Sequence, residues 1–168
     1  GRLEGAFKLN AEVEPRVDGG ARLAVTATTA DVYYSIDGEF SSDQNFNGSR
    51  ASIRYGGPDV RTIGTALDIA DLPGLEFEGS ADLAWAANEI QIQNGRLALG
   101  DDRLQLQGFV AMAADLAGSR LEFEVNFPDL AATLQSFGVV SEGMPVIPIV
   151  MSGEAGFEPG GLALSNVD

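Results

Sequence analysis

Apolar and polar residues alternate one for one along most of this chain. Phe7, Leu9, Ala11 and Val13 alternate with Lys8, Asn10, Glu12 and Glu14, and Leu23, Val25 and Ala27 with Arg22, Ala24, Thr26 and Thr28. Ile90 and Ile92 alternate with Glu89, Gln91 and Gln93. The dipeptide Asn94-Gly95 follows, a favoured two-residue hairpin turn. Leu97 and Leu99 lead to a turn at Gly100-Asp101-Asp102, and Leu104 and Leu106 continue the period. After an Ala-Gly-Ser turn at 117–119, Leu121, Phe123, Val125 and Phe127 alternate with Arg120, Glu122, Glu124 and Asn126. A period of two sends alternate side chains to opposite faces. The chain therefore predicts an antiparallel meander with one apolar and one polar face.

The alternation breaks at "NFPDLAATLQSFG", Asn126 to Gly138. Pro128 ends the preceding strand, Asp129 can cap a helix, and Leu130, Leu134 and Phe137 fall on one helical face. The spacing predicts a single short helix over about 129–137. "MPVIPIVM", Met144 to Met151, is the most apolar stretch, and it is too short and too rich in proline to span a bilayer.

The chain also repeats itself. Asp31, Gly38, Gly48, Ser49 and Arg50 recur as Asp101, Gly108, Gly118, Ser119 and Arg120, all at a spacing of 70. Ala51, Ile53 and Tyr55 then fall opposite Leu121, Phe123 and Val125 in the same apolar phase. "IQIQN" from Ile90 resembles "LALSN" from Leu162. "LDIADL" (Leu67 to Leu72) matches "VNFPDL" (Val125 to Leu130) at a different spacing, 58. An extra strand of about a dozen residues in the first copy would reconcile the two spacings. On that alignment a Pro-Gly turn replaces the helix in the first copy. The reading is one β-repeat segment over 1–168, with repeats at 5–78 and 79–152 and a partial one at 153–168. Units of this kind stack on their neighbours.

Composition narrows the chemistry. The 168 residues are 45% hydrophobic, enough for a substantial apolar surface. The chain opens on Gly and ends on "GLALSNVD" without a closing element, which leads us to expect a piece of a longer protein. Twenty-five acidic residues against ten basic ones give a net charge of −15, with Lys8 the one lysine. Nucleic acid is a poor partner for such a chain, and anionic membrane surfaces repel it. The absence of Cys and His removes thiolate nucleophiles, disulfides, histidine general bases and the usual zinc sites.

Weak candidates for site chemistry remain. Glu76, Glu78, Glu122 and Glu124 could supply a glycosidase-type carboxylate pair, but they occupy the polar phase of strands, where a solvated face accounts for them. Asp101 and Asp102 alone make no calcium loop. Asn47-Gly48-Ser49 fits a glycosylation acceptor and equally a turn. Tyr33, Tyr34, Tyr55 and Trp85 are a thin aromatic supply for sugar stacking. No catalytic residue, metal ligand or cofactor is expected.

The segment from "FPDL" through "MPVIPIVMSGEAGFEPGGLALSN" resembles the AsmA family of bacterial envelope proteins, relatives of TamB and YhdP. The ordered elements are a strand ending in Pro128-Asp129-Leu130, a short helix, and a loop with Gly143, Pro145 and Pro148. The strand Ser152 to Phe157 and then Gly161 to Asn166 follow. The likeness covers about 51–168, and no motif in it is chemically distinctive. It implies a periplasmic protein held in the inner membrane by an anchor outside this segment. It implies an elongated, curved β-sheet with an apolar concave groove, and phospholipid acyl chains and outer-membrane components as partners. The implied function is phospholipid transport between membranes or support of outer-membrane assembly, without enzymatic activity. On that reading Ile90, Ile92, Leu97, Leu99, Leu104, Leu106, Leu121, Phe123, Val125 and Phe127 line the groove, and Arg50 and Arg120 stand at its rim. The alternation by itself equally allows a structural or adhesive surface repeat whose apolar face is closed by a second layer.

Overall fold

The computed structural model describes residues 7–29, 31–67, 71–113, 116–139, 143–158 and 161–168. Its strands are β1 (Lys8–Pro15), β2 (Ala21–Thr28), β3 (Tyr33–Phe40), β4 (Arg50–Gly57), β5 (Phe77–Ala86), β6 (Glu89–Leu99), β7 (Asp102–Ala111), β8 (Arg120–Phe127), β9 (Ile149–Glu158) and β10 (Gly161–Ser165). Helix α1 (Arg61–Leu67) joins β4 to β5, and α2 (Leu130–Ser136) joins β8 to β9. All ten strands lie in one antiparallel sheet in chain order, and the sheet is open, with β1 and β10 as its edges. This is the mainly β antiparallel meander that the alternation predicts, and the open sheet is consistent with the curved one that the family resemblance implies.

The order of elements is four strands and a helix, twice, then two strands. The sequence divisions at 78/79 and 152/153 fall inside β5 and β9. The five identities spaced by 70 are punctuation for this unit. Ser49 and Ser119 are 1% and 3% exposed. Their Oγ atoms accept from Ser41 N and Ala111 N, each at 2.8 Å, and so fold back the β3–β4 and β7–β8 loops. Gly48 and Gly118 precede them at φ +84° and +89°, a conformation glycine adopts without strain. A Cβ on Gly38 or Gly108 would stand 2.5 or 2.2 Å from a carbonyl oxygen of the next strand.

Three expectations are corrected. Asn94-Gly95 does not turn the chain: β6 runs unbroken from Glu89 to Leu99 with a β-bulge there. Asn94 spends its left-handed preference (φ +51°) on the bulge, and the reversal comes at Gly100-Asp101 instead. The bulge has a purpose legible in the register. It lets the even-numbered Ile90 and Ile92 share a face with the odd-numbered Leu97 and Leu99. Asn166 repeats the device. It has φ +51° too, and the Asn94 and Asn166 side chains bond Asp82 and Glu154, each at 2.9 Å.

The helix is not confined to the second copy. α1 occupies the first, and the counterpart of Pro128-Asp129-Leu130 is Pro58-Asp59-Val60, at the same spacing of 70. Asp59 and Asp129 each accept from the backbone N–H two residues on, at 3.0 Å. The match of "LDIADL" to "VNFPDL" at 58 therefore misaligns a helix end and loop with a strand, and among the described residues no extra strand separates the copies; residues 68–70 of that stretch lie outside them. Finally, Phe137 does not belong to the packed face of α2. The helix ends at Ser136, so Phe137 sits in its C-cap, 46% exposed, and Ala131 is the buried residue. The helix is tied down by Thr133, whose hydroxyl lies 2.9 Å from Asp102 at the start of β7.

Candidate functional site

Antiparallel partners share a face, so the register alone decides which side chains sit together. One row of partners runs Ala11–Val25–Ile36–Ile53–Ala81 over β1 to β5. Beyond the bulge it continues Gly95–Leu106–Phe123–Gly153 over β6 to β9. Every step is apolar or glycine. The rows beside it have the same character: Leu97–Leu104–Val125–Met151 on one side, Ile92–Gly108–Leu121–Ala155–Leu164 on the other. Leu99 and Phe127 lie at the helix-bearing end of the strands, and Ile90 pairs with Val110 near the other end. The ten apolar residues singled out from the alternation thus share one face of the sheet.

That face has no second layer over it among the described residues. Leu9 and Leu164, near the two edges, remain 55% and 59% exposed, and the leucines of the central strands are half-buried by their neighbours alone. Nine inter-strand steps of ~4.8 Å and strands of ~26 Å give an apolar surface on the order of 1,000 Å². The largest apolar patch on an ordinary monomer is about 300–600 Å². Aromatic rings cover its thin points. Phe40 and Trp85 stand 5.9 Å apart across the strand end that carries Ser49. The Tyr55 ring lies over Gly79 and 6.3 Å from Phe77, and this burial pushes its hydroxyl pKa up.

The opposite face is mainly polar, with Ala84, Phe109 and Val150 among its few apolar members. Arg22 pairs with Asp37 and Arg120 with Glu154, each at 3.4 Å. Gln107 donates to Glu122 at 2.6 Å, and Ser52 and Asn94 both donate to Asp82, holding its carboxyl below the usual range. An open depression of about 420 Å³ lies here, walled by Arg96, Gln105, Gln107, Glu122, Glu124 and Glu154. It is a furrow between rows of solvated side chains, unsuited to an apolar ligand. Arg50 and Arg120 both belong to this face: Arg50 pairs in register with Glu39 and Ala84, Arg120 with Phe109 and Gly156. The structure brings the ten apolar candidates together and leaves the two arginines behind the sheet.

The remaining candidates have structural employment. Glu78, Glu122 and Glu124 lie on the solvated face. Asp102 anchors α2 through Thr133. The Asn47 Oδ1 accepts from Ala87 N at 3.2 Å and closes the same loop as Ser49. The residues that sequence reasoning passed over are those of the first four strands and of β9–β10, which extend the apolar face to both edges; their alternation carried the signal. No family model, no curated protein and no solved structure matches this chain.

Proposed function

We propose that this chain is a segment of an AsmA-like, periplasmic lipid-bridging scaffold. It holds phospholipid acyl chains on its apolar face and supports their movement between membranes, or the assembly of the outer membrane. It acts without catalysis, and its membrane anchor lies outside this segment. The observation that carries this reading is the unbroken apolar face spanning ten strands with no layer over it. A surface of that size needs an occupant, and a tail is the right shape. Half a hydrocarbon core is ~15 Å deep, so a sheet ~43 Å across takes two or three tails end to end. Each buried methylene contributes about 0.8 kcal/mol relative to water. A tail leaving a bilayer for this face exchanges one apolar environment for another, so it is held against water yet free to slide. The Leu, Ile, Val and Phe side chains that line it offer no group to recognise a headgroup. A surface repeat with a closed core would need a covering layer that the described residues do not supply.

Native mass spectrometry of the protein released from cells tests this. Co-purifying phospholipid, and uptake of a fluorescent phospholipid after delipidation, are the expected results. A folded protein that carries none and takes up none refutes the proposal.

A further inference from the structure

The polarity of the two faces extends to the sign of the charge, and this bears on which lipids the face accepts. Every cation on a strand lies on the polar face. Lys8, Arg22 and Arg50 pair in register with Thr28, Glu39 and Ala84, and Arg54, Arg96 and Arg103 with Ser80, Gln105 and Asn126. Arg120, opposite Phe109, is the seventh. Among the described residues the apolar face carries no cation on any strand, and its one charged strand residue is the acidic Asp102, in register with Leu99.

The two described cations outside the strands are already engaged, and Arg103, near the start of β7, spends its guanidinium on the Gly100 and Asp102 carbonyls. Arg16 is paired with both Asp18 and Glu39. Arg61 is paired with Asp59 at 2.5 Å. Asp31, Asp43, Asp71 and Asp101 add exposed carboxylates to the same two rims. A headgroup emerging from the apolar face therefore meets rims where carboxylates outnumber cations, on a chain of net charge −15.

We infer that the apolar face selects against anionic lipids, taking as its occupant diacyl lipids with zwitterionic headgroups. This inference rests on the lipid-scaffold reading above. A phosphate that brings its own ammonium or choline cation needs no partner from the protein, whereas an anionic headgroup gains none and is repelled. Repulsion of about 1 kcal/mol per charge near a charged surface corresponds to roughly fivefold in loading.

The test is to incubate the delipidated protein with vesicles of phosphatidylcholine or of phosphatidylglycerol with identical acyl chains. Bound lipid is counted by native mass spectrometry after separation. At low salt, phosphatidylcholine should load about fivefold or more over phosphatidylglycerol, and the gap should narrow at high salt as the rims are screened. Ala11→Lys places a cation on the exposed edge of the apolar face at little cost to folding, and should raise phosphatidylglycerol loading selectively. Equal or greater phosphatidylglycerol loading at low salt overturns the charge selection and leaves the lipid scaffold standing. No loading from either vesicle overturns both.

Discussion

The twin serines of the hairpin loops give the sharpest test of the repeat architecture. In Ser119→Ala the buried Oγ disappears. Ala111 N loses its acceptor at 2.8 Å, and Leu116 O loses one of two donors, the hydroxyl at 2.6 Å, while keeping Ser119 N. A buried polar group left without a partner costs about 1–3 kcal/mol. For a chain of this length that lowers Tm by about 2–4 °C per kcal/mol. Ser49→Ala removes the equivalent bond to Ser41 N and should cost a similar amount. β4 and β8 are four strands apart, roughly 19 Å, so the two losses should add in the double variant to within about 0.5 kcal/mol. Urea unfolding followed by far-ultraviolet circular dichroism reads the whole sheet. Fluorescence of Trp85, whose backbone N–H donates to Ser49 O at 2.9 Å, reads the first loop. Two losses below about 0.3 kcal/mol would show that solvent satisfies these groups and that the serines are not structural staples. A double loss far from the sum would show that the two units are not independent.

Other consequences follow from single residues. Gly108→Ala sets a Cβ 2.2 Å from Arg120 O at φ +135° and should cost 3 kcal/mol or more, whereas Gly118→Ala meets open space and should cost only about 1–2 kcal/mol of backbone strain; denaturation midpoints of the two variants check the ordering. Asp129→Ala removes the α2 cap, which accepts from Ala131 N and Ala132 N, and should cost about 1 kcal/mol in the same assay. Asp82 is held below the ordinary carboxylate pKa chiefly by Ser52 and then by Asn94. Its ionised form thus stabilises the fold above about pH 3.9, and that support is lost as the pH falls through the lowered folded value. Asp82→Asn should flatten this acid limb of stability against pH, and an unchanged limb would contradict the assignment.

Much of the fold was legible because it is governed by one rule. A one-sided sheet must alternate, so the phase at Leu121, Phe123, Val125 and Phe127 already stated which residues share a face. What escaped were the places where the period is deliberately broken. Asn94-Gly95 has the chemistry of a hairpin turn, and only the need to keep Ile92 and Leu97 on one face shows that it is a bulge. α1 was hidden because "PDVRTIGTAL" has Gly64 where "PDLAATLQSF" has Leu134, and the β-branched Val60, Thr62 and Thr65 where it has Leu130, Ala132 and Gln135, so its helical propensity is weaker. Its position was nonetheless written in the shared Pro-Asp at a spacing of 70. The candidate face was visible in its central strands, and its continuity to both edges emerged only from the register. Arg50 and Arg120 show the converse: a turn-adjacent position does not by itself tell which face a strand's first residue joins.

The central claim is that the apolar face, and not the polar one, holds acyl chains. A photoreactive amino acid placed at Leu106 faces the apolar side, and one at the adjacent Gln105 faces the polar side. After irradiation in cells producing the protein, phospholipid adducts should form at position 106 and stay at background at 105. Equal labelling at the two positions, or labelling at 105 alone, would contradict the account.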